Sequence, residues 1–385
     1  MQRTIRLQLH PSPEQTAALA ETCHQFTAVF NAVCTLGWRE RLSNGVKLHH
    51  ATYYPLKAEF PDLVSDLHIQ ARVKASEALK SALALQKAGR TVNQPRSDAC
   101  PPRYNLHTYR VDWESQTVRL SLIGGRQTLR FHIPDYSVKY AGYPTDTADL
   151  LVRDGRWWLH VVVTVPAPET LPSEQVIGVD LGLSRPAVTS HSCFLGKRAW
   201  KAIEGRLFKL KRALQKRGTK SAKRHLRRVR HRQARFRRDC DHVLSKQIVR
   251  SVEPGATLVL ENLTNIRSRV KMRPRSETQR RVHAWSFAQL KAFLVYKAEE
   301  RGCMVVAVDP RHTSQACSRC GHTARNNRRS RELFVCRACG YSLHADLNAA
   351  RNIAAKYRAE GGISASSRLC VNQPIVPNST LRRSA

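Results

Sequence analysis

The stretch VIGVDLGLSRPAVTS, residues 176–190, decides the fold of the second half of the chain. Its apolar start predicts a short buried strand, and the carboxylate of Asp180 follows directly before a glycine-containing turn. Ala187–Ser190 predicts a neighbouring strand, and two more buried strands are predicted at Thr257–Leu260 and Met304–Val308. Because these strands alternate with helical segments, the sequence indicates an α/β core.

The segment between these strands is strongly basic. The chain has 65 Lys and Arg against 29 Asp and Glu, and residues 197–250 alone hold half of its net charge of +36. Apolar periodicity predicts two long helices over 201–250, with Leu207, Leu210 and Leu214 on the buried face of the first. A charge so one-sided is typical of a phosphate-binding surface. A membrane surface is the weaker alternative, because the block lacks an apolar face rich in Trp and Phe.

We therefore expect the two basic helices to bind nucleic acid. A helix nearer the N-terminus contributes the candidates Gln70 and Lys74, since glutamine can contact adenine edges, although a solvated helix face explains these two equally well. Further basic clusters lie at 267–275 and 325–331. The predicted contact residues on the basic helices are Lys209, Lys211, Arg212, Lys216, Arg217, Lys220, Lys223, Arg224, Arg227 and Arg228.

The first half of the chain has a different pattern. Residues 2–9 alternate between apolar and polar and predict a strand, and the pattern is helical from Pro13 to about Lys87. Ser12 and Gln15 have the spacing of a capping box at the start of this helical region. Short alternating strands then follow one another after a Pro-rich boundary, which indicates a small β-barrel that the N-terminal strand could join.

Four of the eleven cysteines have the spacing of a metal site. Two CxxC pairs, each followed by a glycine, are separated by 15 residues, and each pair can present two thiolates to one tetrahedral zinc ion. Because four thiolates leave no open coordination position, we predict a structural zinc. The predicted ligands are Cys317, Cys320, Cys336 and Cys339.

Three carboxylates stand out in so basic a chain. Asp180 and Glu261 each end an apolar strand, and Asp346 lies at the start of a predicted helix. Singly, they could close a turn, pair with an arginine or cap a helix. Together they could hold two Mg²⁺ ions about 4 Å apart for phosphodiester cleavage. Asp309 has a similar strand-end position, so placement alone does not select the three.

Four motifs resemble the RuvC-like nuclease and zinc-ribbon half of the TnpB family, whose members are encoded by insertion sequences and related to type V CRISPR effectors. The resemblance is strong over about 174–357 and weaker over 1–173. The motifs are VIGVDLGLSRPAVTS (176–190), LVLENL (258–263), VAVDPRHTSQACSRCG (306–321) and FVCRACGYSLHADLNAARNI (334–353).

The resemblance implies an α/β multidomain protein with a RuvC-like (RNase H-like) core, an inserted zinc ribbon, and a preceding helical recognition region and β-barrel wedge domain. The implied bounds are 1–10 and 96–170 for the wedge, 11–95 for the recognition domain, 171–312 and 343–357 for the nuclease core, 313–342 for the ribbon, and 358–385 for a disordered tail.

The implied activity is that of an RNA-guided DNA endonuclease. Asp180, Glu261 and Asp346 would be the catalytic carboxylates that bind Mg²⁺, and Asp309 would be an ordinary strand-end residue. The partners would be a guide RNA from the end of the mobile element and a double-stranded target DNA with a short flanking motif. His344 departs from the pattern, because it stands where the family usually has an acid.

Two other functional classes remain possible on the sequence alone: a zinc-ribbon regulator that binds without cutting, and a transposase that joins DNA ends. A compact CRISPR effector would share the chemistry of the nuclease and differ in genomic setting. No apolar stretch approaches the roughly 20 residues needed to cross a bilayer, so we expect a cytoplasmic protein without a membrane partner. The sequence leaves the oligomeric state open, and a monomer is allowed.

Overall fold

The computed structural model describes residues 1–166, 168, 173–183, 185–197, 199–264, 266–269 and 276–361. Contacts divide the chain into two compact units, Met1–Pro166 and Ala167–Ala385. Residues 167 and 169–172, residues 270–275 of the second basic cluster, and the predicted tail from 362 onward lie outside the described residues. The domain bounds inferred from the resemblance stay predictions.

The helical region of the first unit begins as the sequence predicts. The Ser12 hydroxyl accepts a hydrogen bond from the Gln15 amide at 3.2 Å, and the Gln15 side chain accepts one from the Ser12 amide at 3.1 Å, so the capping box is confirmed. Asn44 caps a second helix through its side chain. The helices are α1 (Pro13–Arg39), α2 (Gly45–Glu59) and α3 (Ser65–Lys87).

The N-terminal strand lies inside the sheet of the first unit. That sheet consists of β1 (Gln2–His10), β2 (Arg103–Tyr104), β3 (Tyr109–Asp112), β4 (Thr117–Leu122), β5 (Gly125–His132), β6 (Thr145–Arg153) and β7 (Arg156–Thr164). Its order is β2-β6-β7-β1-β5-β4-β3. β1 pairs antiparallel with β7 and β5, so the predicted joining of this strand is confirmed. The ends of the order, β2 and β3, are not paired with each other, which makes the sheet a half-barrel rather than a closed barrel.

One apolar core serves both the helices and the sheet of the first unit. The alternation of β1 turns Ile5 and Leu7 inward, where they are fully buried with Phe26 of α1 and Leu67 of α3. Removing such side chains from water supplies most of the driving force for packing these two layers together.

The second unit is built on a mixed sheet of five strands. These are β8 (Val176–Asp180), β9 (Ala187–Thr189), β10 (Phe194–Leu195), β11 (Thr257–Glu261) and β12 (Met304–Val308), in the order β10-β9-β8-β11-β12. β8, β11 and β12 are parallel, whereas β9 is antiparallel to β8. A separate hairpin pairs β13 (Leu333–Val335) with β14 (Ser342–His344).

Helices cover both faces of this sheet. The helices of this unit are α4 (Ala199–Arg217), α5 (Lys220–Arg250), α6 (Ile266–Arg269), α7 (Glu277–Ala284), α8 (Phe287–Glu299) and α9 (Ala345–Ala359), and α5, α8 and α9 pack on the sheet. Successive strand residues point to opposite faces, so Leu258 and Leu260 pack with residues of α5 and α8, and Val259 packs with Ile353 and Tyr357 of α9. None of the described helices is both long and apolar enough to span a membrane.

The buried face of α4 is narrower than the sequence suggests. Leu207 and Leu214 pack against Ala222 and Val229 of α5, as expected for an apolar seam, but Leu210 is 39% exposed. The prediction for Leu210 was wrong because the buried stripe of α4 runs through Ile203, Leu207 and Leu214, with the half-buried Lys211 between them, so Leu210 lies at the edge of the stripe.

Candidate functional site

Two of the three candidate carboxylates lie side by side at one edge of the parallel sheet. β8 and β11 are parallel neighbours in which Val179 pairs with Leu260, and the next residue of each strand is Asp180 or Glu261. Parallel strands end at the same edge, so the register brings both carboxylates to the carboxyl edge of the sheet. This is the edge at which open α/β sheets bind their ligands.

The third carboxylate, that of Asp346, lies on α9, which packs closely on β8. At Gly178 a Cβ atom would collide with the backbone carbonyl of Ala350, so only glycine allows this approach. The side chain of His344 caps α9 by accepting a hydrogen bond from the Asp346 amide at 3.3 Å. Asp346 itself is therefore not the cap that its position suggested, and its carboxylate in the first turn takes no part in capping α9.

The pKa of Asp180 reflects its burial and the charges of the other two carboxylates. Burial raises the pKa of Asp180 to about 8, and the charges of Glu261 and Asp346 add to this rise while Arg328 opposes it. Burial also raises the pKa of Glu261, although a hydrogen bond from Thr313 lowers it. Like charges act on one another only at short range, so Glu261 and Asp346 both lie near Asp180.

Two residues that the sequence analysis missed hold the carboxylates. The Thr313 hydroxyl donates to Glu261 Oε1 at 2.5 Å, and the Arg328 guanidinium donates to Asp346 Oδ1 at 3.0 Å in an ion pair that is mostly shielded from water. Arg328 lies in the segment between the CxxC pairs. In the sequence it is marked only as one arginine of the 325–331 cluster, which does not distinguish it from its neighbours.

Asp309 has a different environment from the three carboxylates. It follows β12 and is half exposed, and its Oδ1 accepts a hydrogen bond from the backbone amide of Arg311 at 3.2 Å. This is a turn-closing contact of the kind common for aspartate. Lys356 binds the backbone carbonyl of Asp309 rather than its carboxylate.

The chemistry of the carboxylate cluster suits a hard divalent cation. Carboxylate oxygens are the ligands that Mg²⁺ prefers, and a cation would offset the burial and the like charges that raise the pKa of Asp180. The three carboxylates do not yet form a tight chelate: over the described ranges, only the four cysteine sulfurs form a set of three or more His, Cys, Asp or Glu ligand atoms within 4.8 Å of one another. Asp346 is paired with Arg328 instead.

The four predicted zinc ligands converge. Their sulfur atoms all lie within 4.8 Å of one another, with 3.8 Å between Cys317 and Cys339 and 3.6 Å between Cys320 and Cys336. A tetrahedral ion with Zn–S bonds of about 2.3 Å places its sulfurs about 3.8 Å apart. The donor set therefore fits a structural zinc ion.

The two cysteine turns have equivalent backbone geometry. In each, the amide of the following glycine donates to the carbonyl of the first cysteine, from Gly321 to Cys317 at 2.9 Å and from Gly340 to Cys336 at 3.1 Å. Both glycines have a positive φ, 76° and 68°, which the turn requires. The completely buried side chain of Asn327 joins the turns, because it donates to the carbonyls of Gln315 and His322 and accepts from the amide of Arg337.

Most of the predicted nucleic-acid contacts on α4 and α5 point into solvent. Nine of the ten are exposed, while Lys211 is half-buried and donates to Gln233 at 2.9 Å. A face of exposed cations without acidic partners suits a polyanion. The exposed nine are Lys209, Arg212, Lys216, Arg217, Lys220, Lys223, Arg224, Arg227 and Arg228.

Lys74 has a structural environment instead. Its side chain is only 12% exposed, and its ammonium group binds the Pro101 carbonyl at 2.7 Å and the Asp149 carboxylate at 2.8 Å. It is therefore neither a solvated lysine nor a free phosphate ligand, and its predicted role in reading DNA needs correction. The sequence could not show this, because Asp149 lies 75 residues away. Gln70, four residues earlier on α3, is partly buried.

The chain is similar in sequence to a described protein family and to several known proteins. The family described as "Cas12f1-like, TNB domain" matches residues 287–353, from α8 through the ribbon into α9. The CRISPR-associated endodeoxyribonuclease Cas12f1 of Sulfoacidibacillus thermotolerans is 32% identical over 224 residues, which are 52% of this chain and 50% of that protein. The RNA-guided DNA endonuclease InsQ of Escherichia coli K12 is 29% identical over 219 residues, 52% of this chain and 54% of that protein.

A TnpB-like protein of Methanocaldococcus jannaschii is 30% identical over 128 residues, 33% of this chain and 45% of that protein. The resemblance to the TnpB family is confirmed. The chain spans about half the length of these curated relatives. A solved Cas12f1–sgRNA–target DNA complex contains a chain of similar fold, with a TM-score of 0.58 and 14% identity over 92% of this chain and 98% of that one.

Proposed function

We propose that this chain is an RNA-guided DNA endonuclease of a mobile element. The observation that carries the proposal is the convergence of Asp180, Glu261 and Asp346 at one sheet edge in a chain with a net charge of +36. Such a cluster of carboxylates is costly in the absence of cations, which gives it the character of a functional site. The named activities of the similar proteins, RNA-guided DNA endonuclease and endodeoxyribonuclease, support the same conclusion.

In this proposal the second unit contains a RuvC-like nuclease core. Its strand order, with an antiparallel β8–β9–β10 meander extended by the parallel strands β11 and β12, supports an RNase H-like fold. Asp180, Glu261 and Asp346 would hold two Mg²⁺ ions. Bound there, the ions would supply activation of water and stabilisation of the leaving oxygen of the phosphodiester.

The other residues of the site position these ligands. Thr313 fixes one oxygen of Glu261 by donating a hydrogen bond, which leaves the second oxygen for a cation. Arg328 holds Asp346 and lies in the ribbon between the CxxC pairs, so the ribbon fold sets the position of a charge beside the carboxylates. The four cysteines would hold a structural Zn²⁺ that keeps this segment in place.

The bound nucleic acids would be a guide RNA from the end of the mobile element and a double-stranded target DNA. Pairing between guide and target would supply sequence specificity, and the protein would recognise a short flanking motif. The exposed lysines and arginines of α4 and α5 would bind phosphates, and the half-barrel and helices of the first unit would serve as wedge and recognition regions. The reaction would take place in the cytoplasm of a prokaryotic cell.

Replacing Asp180 by Ala tests the cleavage mechanism. We expect loss of Mg²⁺-dependent cleavage with RNA and target binding largely retained, because in this proposal the carboxylate would bind cations rather than bases. Asp309→Ala is the matched control: it removes an aspartate after a parallel strand of the same sheet, outside the carboxylate cluster, and should cut normally. Cleavage at the wild-type rate by the Asp180 variant would remove Asp180 from the mechanism.

The identity of the guide needs a separate experiment. The protein is purified from cells that carry its native locus, and the RNA that co-purifies is sequenced. RNA that maps to the end of the mobile element supports the proposal, and purification without any specific RNA contradicts it.

A compact CRISPR effector is the second candidate, and the 32% identity to Cas12f1 of Sulfoacidibacillus thermotolerans favours considering it. Its chemistry would be the same. Co-purified RNA that contains repeat and spacer sequence would assign the chain to this candidate instead.

A further inference from the structure

A cavity of about 120 Å³ lies in the second unit beside the carboxylate-bearing edge. One wall is the turn after β8, formed by Gly182 and Leu183, and the opposite wall is α5. Arg281 of α7 donates a hydrogen bond to the Leu183 carbonyl and so fixes the turn. At about 30 Å³ per water molecule, the volume corresponds to about four waters, so the cavity has room for a small ligand group.

Two charged groups of opposite sign face this cavity from one side of α5. Arg237 and Asp241 are four residues apart, so they lie on the same helix face. The Asp241 carboxylate is 8% exposed and accepts a hydrogen bond from Ser286 at 2.6 Å. Burial raises the pKa of Asp241 to about 6, so the group is ionised at neutral pH although little water reaches it. A buried carboxylate in that state is stabilised by further donors.

Arg237 brings a donor without a partner. Its terminal nitrogen pairs with Glu204 at 2.9 Å, but its buried Nε has no hydrogen-bond partner within the described part of the chain. An unsatisfied buried donor is costly, and a ligand that supplies an acceptor would remove the cost. A ligand of this cavity must therefore offer an acceptor to Arg237 Nε–H and hydrogen-bond donors to the Asp241 carboxylate.

The rest of the lining suits an aromatic ring that carries a phosphate. Trp200 and Trp285 line the cavity and offer apolar ring surface. Base–aromatic stacking contributes to binding of single-stranded nucleic acids. Lys197 and Lys201 line the cavity and are exposed, so they can reach a phosphate at its mouth.

We propose that this cavity binds the base of a guanine nucleotide. Guanine alone among the common bases offers, along its Watson–Crick edge, one carbonyl acceptor beside a ring N–H and an amino group. Arg237 Nε–H donates to O6, and the Asp241 carboxylate accepts from N1–H and N2–H. Adenine has no acceptor at O6, and uracil and thymine have no amino group.

This inference rests on the proposed function only for the source of the nucleotide. Because the cavity shares the turn after Asp180, a strand approaching the carboxylates would pass its mouth, and a guanine of the DNA or of the guide RNA could enter it. A free guanine nucleotide has the same chemistry. The binding of the base itself does not depend on cleavage.

Calorimetric titration of the full, zinc-loaded chain with GMP, AMP, CMP and UMP tests the proposal. We expect GMP to bind at least about tenfold more tightly than the other three, a ratio typical of a satisfied bidentate contact. Asp241→Asn should remove most of this preference. Asp239→Asn, the same charge change at an exposed position of the same helix, should leave it intact. Equal binding of the four nucleotides overturns the proposal.

Two further arms separate folding defects and ligand sources. Arg237→Lys keeps the positive charge beside Glu204 but removes Nε, so it should reduce the preference for GMP without lowering the unfolding temperature much. Asp180→Asn should bind GMP like the wild type, which separates failure of this site from failure of the nuclease proposal.

Short DNA and RNA oligomers with one guanine in a pyrimidine background identify the source of the nucleotide. A preference for the guanine-containing DNA or RNA assigns that strand, and a preference for GMP alone assigns the free nucleotide. No preference in any arm contradicts the site.

Discussion

At the scale of single residues, Asp180 combines the function of the site with a cost in stability. Burial and the neighbouring charges of Glu261 and Asp346 raise its pKa to about 8. In the unfolded chain the same group titrates near its ordinary value of 3.8. The folded protein therefore holds a proton that the unfolded chain has already released at every pH between these two values.

This difference predicts how stability changes with pH. The native state binds more protons than the unfolded state between pH 3.8 and about 8, so the contribution of Asp180 to the free energy of unfolding falls as pH rises through that window. The fall is up to about 1.4 kcal/mol per pH unit. Asp180→Asn cannot titrate, so in Mg²⁺-free buffer its unfolding temperature should match that of the wild type near pH 4 and exceed it increasingly toward pH 8.

Thermal unfolding of both proteins at a series of pH values measures this gap. Adding Mg²⁺ at pH 8 should stabilise the wild type and not the variant, because the cation needs the ionised carboxylate. A gap that stays constant with pH would show that Asp180 titrates normally in the folded protein.

Asn327 is a second residue whose effect can be separated. Its side chain makes three hydrogen bonds to the backbone around the two cysteine turns, at 2.9–3.1 Å. Asn327→Ala leaves buried backbone groups without partners, which should destabilise the ribbon by about 1–3 kcal/mol. Zinc release to a chelator, followed with a colour indicator, should be faster. The adjacent Asn326 is exposed, so Asn326→Ala should release zinc like the wild type.

At the scale of elements, patterns that repeat locally were predictable and long-range pairings were not. The capping box of Ser12 and Gln15 and the strands β8, β11 and β12 follow from spacing and apolar runs, because their contacts lie within one element or its neighbours. Leu210 and Lys74 depend on partners elsewhere in the chain, which no local pattern specifies.

The candidate site divides in the same way. The four cysteines follow from their paired motifs, whereas the three carboxylates were separated from Asp309 only by the resemblance to the TnpB family. Thr313 and Arg328 were not found from the sequence, because their roles arise only where the ribbon meets the carboxylate cluster. Arg328 is one of 65 Lys and Arg in the chain, and neither Arg328 nor Thr313 stands out by its residue type.

The close contact of β8 with α9 gives a prediction for elements. Gly178→Ala places a methyl group against the backbone of Ala350, which must move away and take Asp346 with it. Overpacking of this kind costs about 1–3 kcal/mol. We expect a lower unfolding temperature and a loss of cleavage larger than the loss of stability explains.

A glycine on another helix provides the control. An added Cβ at Gly205 in α4 has no neighbour within 4 Å, so Gly205→Ala should be neutral or stabilise the helix by up to about 1 kcal/mol. Wild-type stability and cleavage in the Gly178 variant would show that β8 and α9 tolerate a wider spacing.

At the scale of the whole molecule, the net charge of +36 determines how the affinity for nucleic acid depends on salt concentration. Each phosphate neutralised by a Lys or Arg releases counterions, so the logarithm of the affinity falls with the logarithm of the salt concentration by about 0.9 per contact on duplex DNA. Half of the net charge lies within residues 197–250. The exposed cations of α4 and α5 should therefore account for a large part of this slope.

Replacing Arg224, Arg227 and Arg228 together by Gln tests this distribution of charge. All three are exposed on α5, so the variant should fold normally and its salt slope for a duplex of arbitrary sequence should be smaller by about 2 to 3. Fluorescence anisotropy between about 50 and 200 mM salt measures the slope. Lys74→Gln is the contrasting variant, because its ammonium group is paired with Asp149: it should lower the unfolding temperature and leave the slope unchanged. An unaltered slope in the triple variant, or a reduced slope in the Lys74 variant, would mean that the phosphate-binding surface lies elsewhere on the molecule.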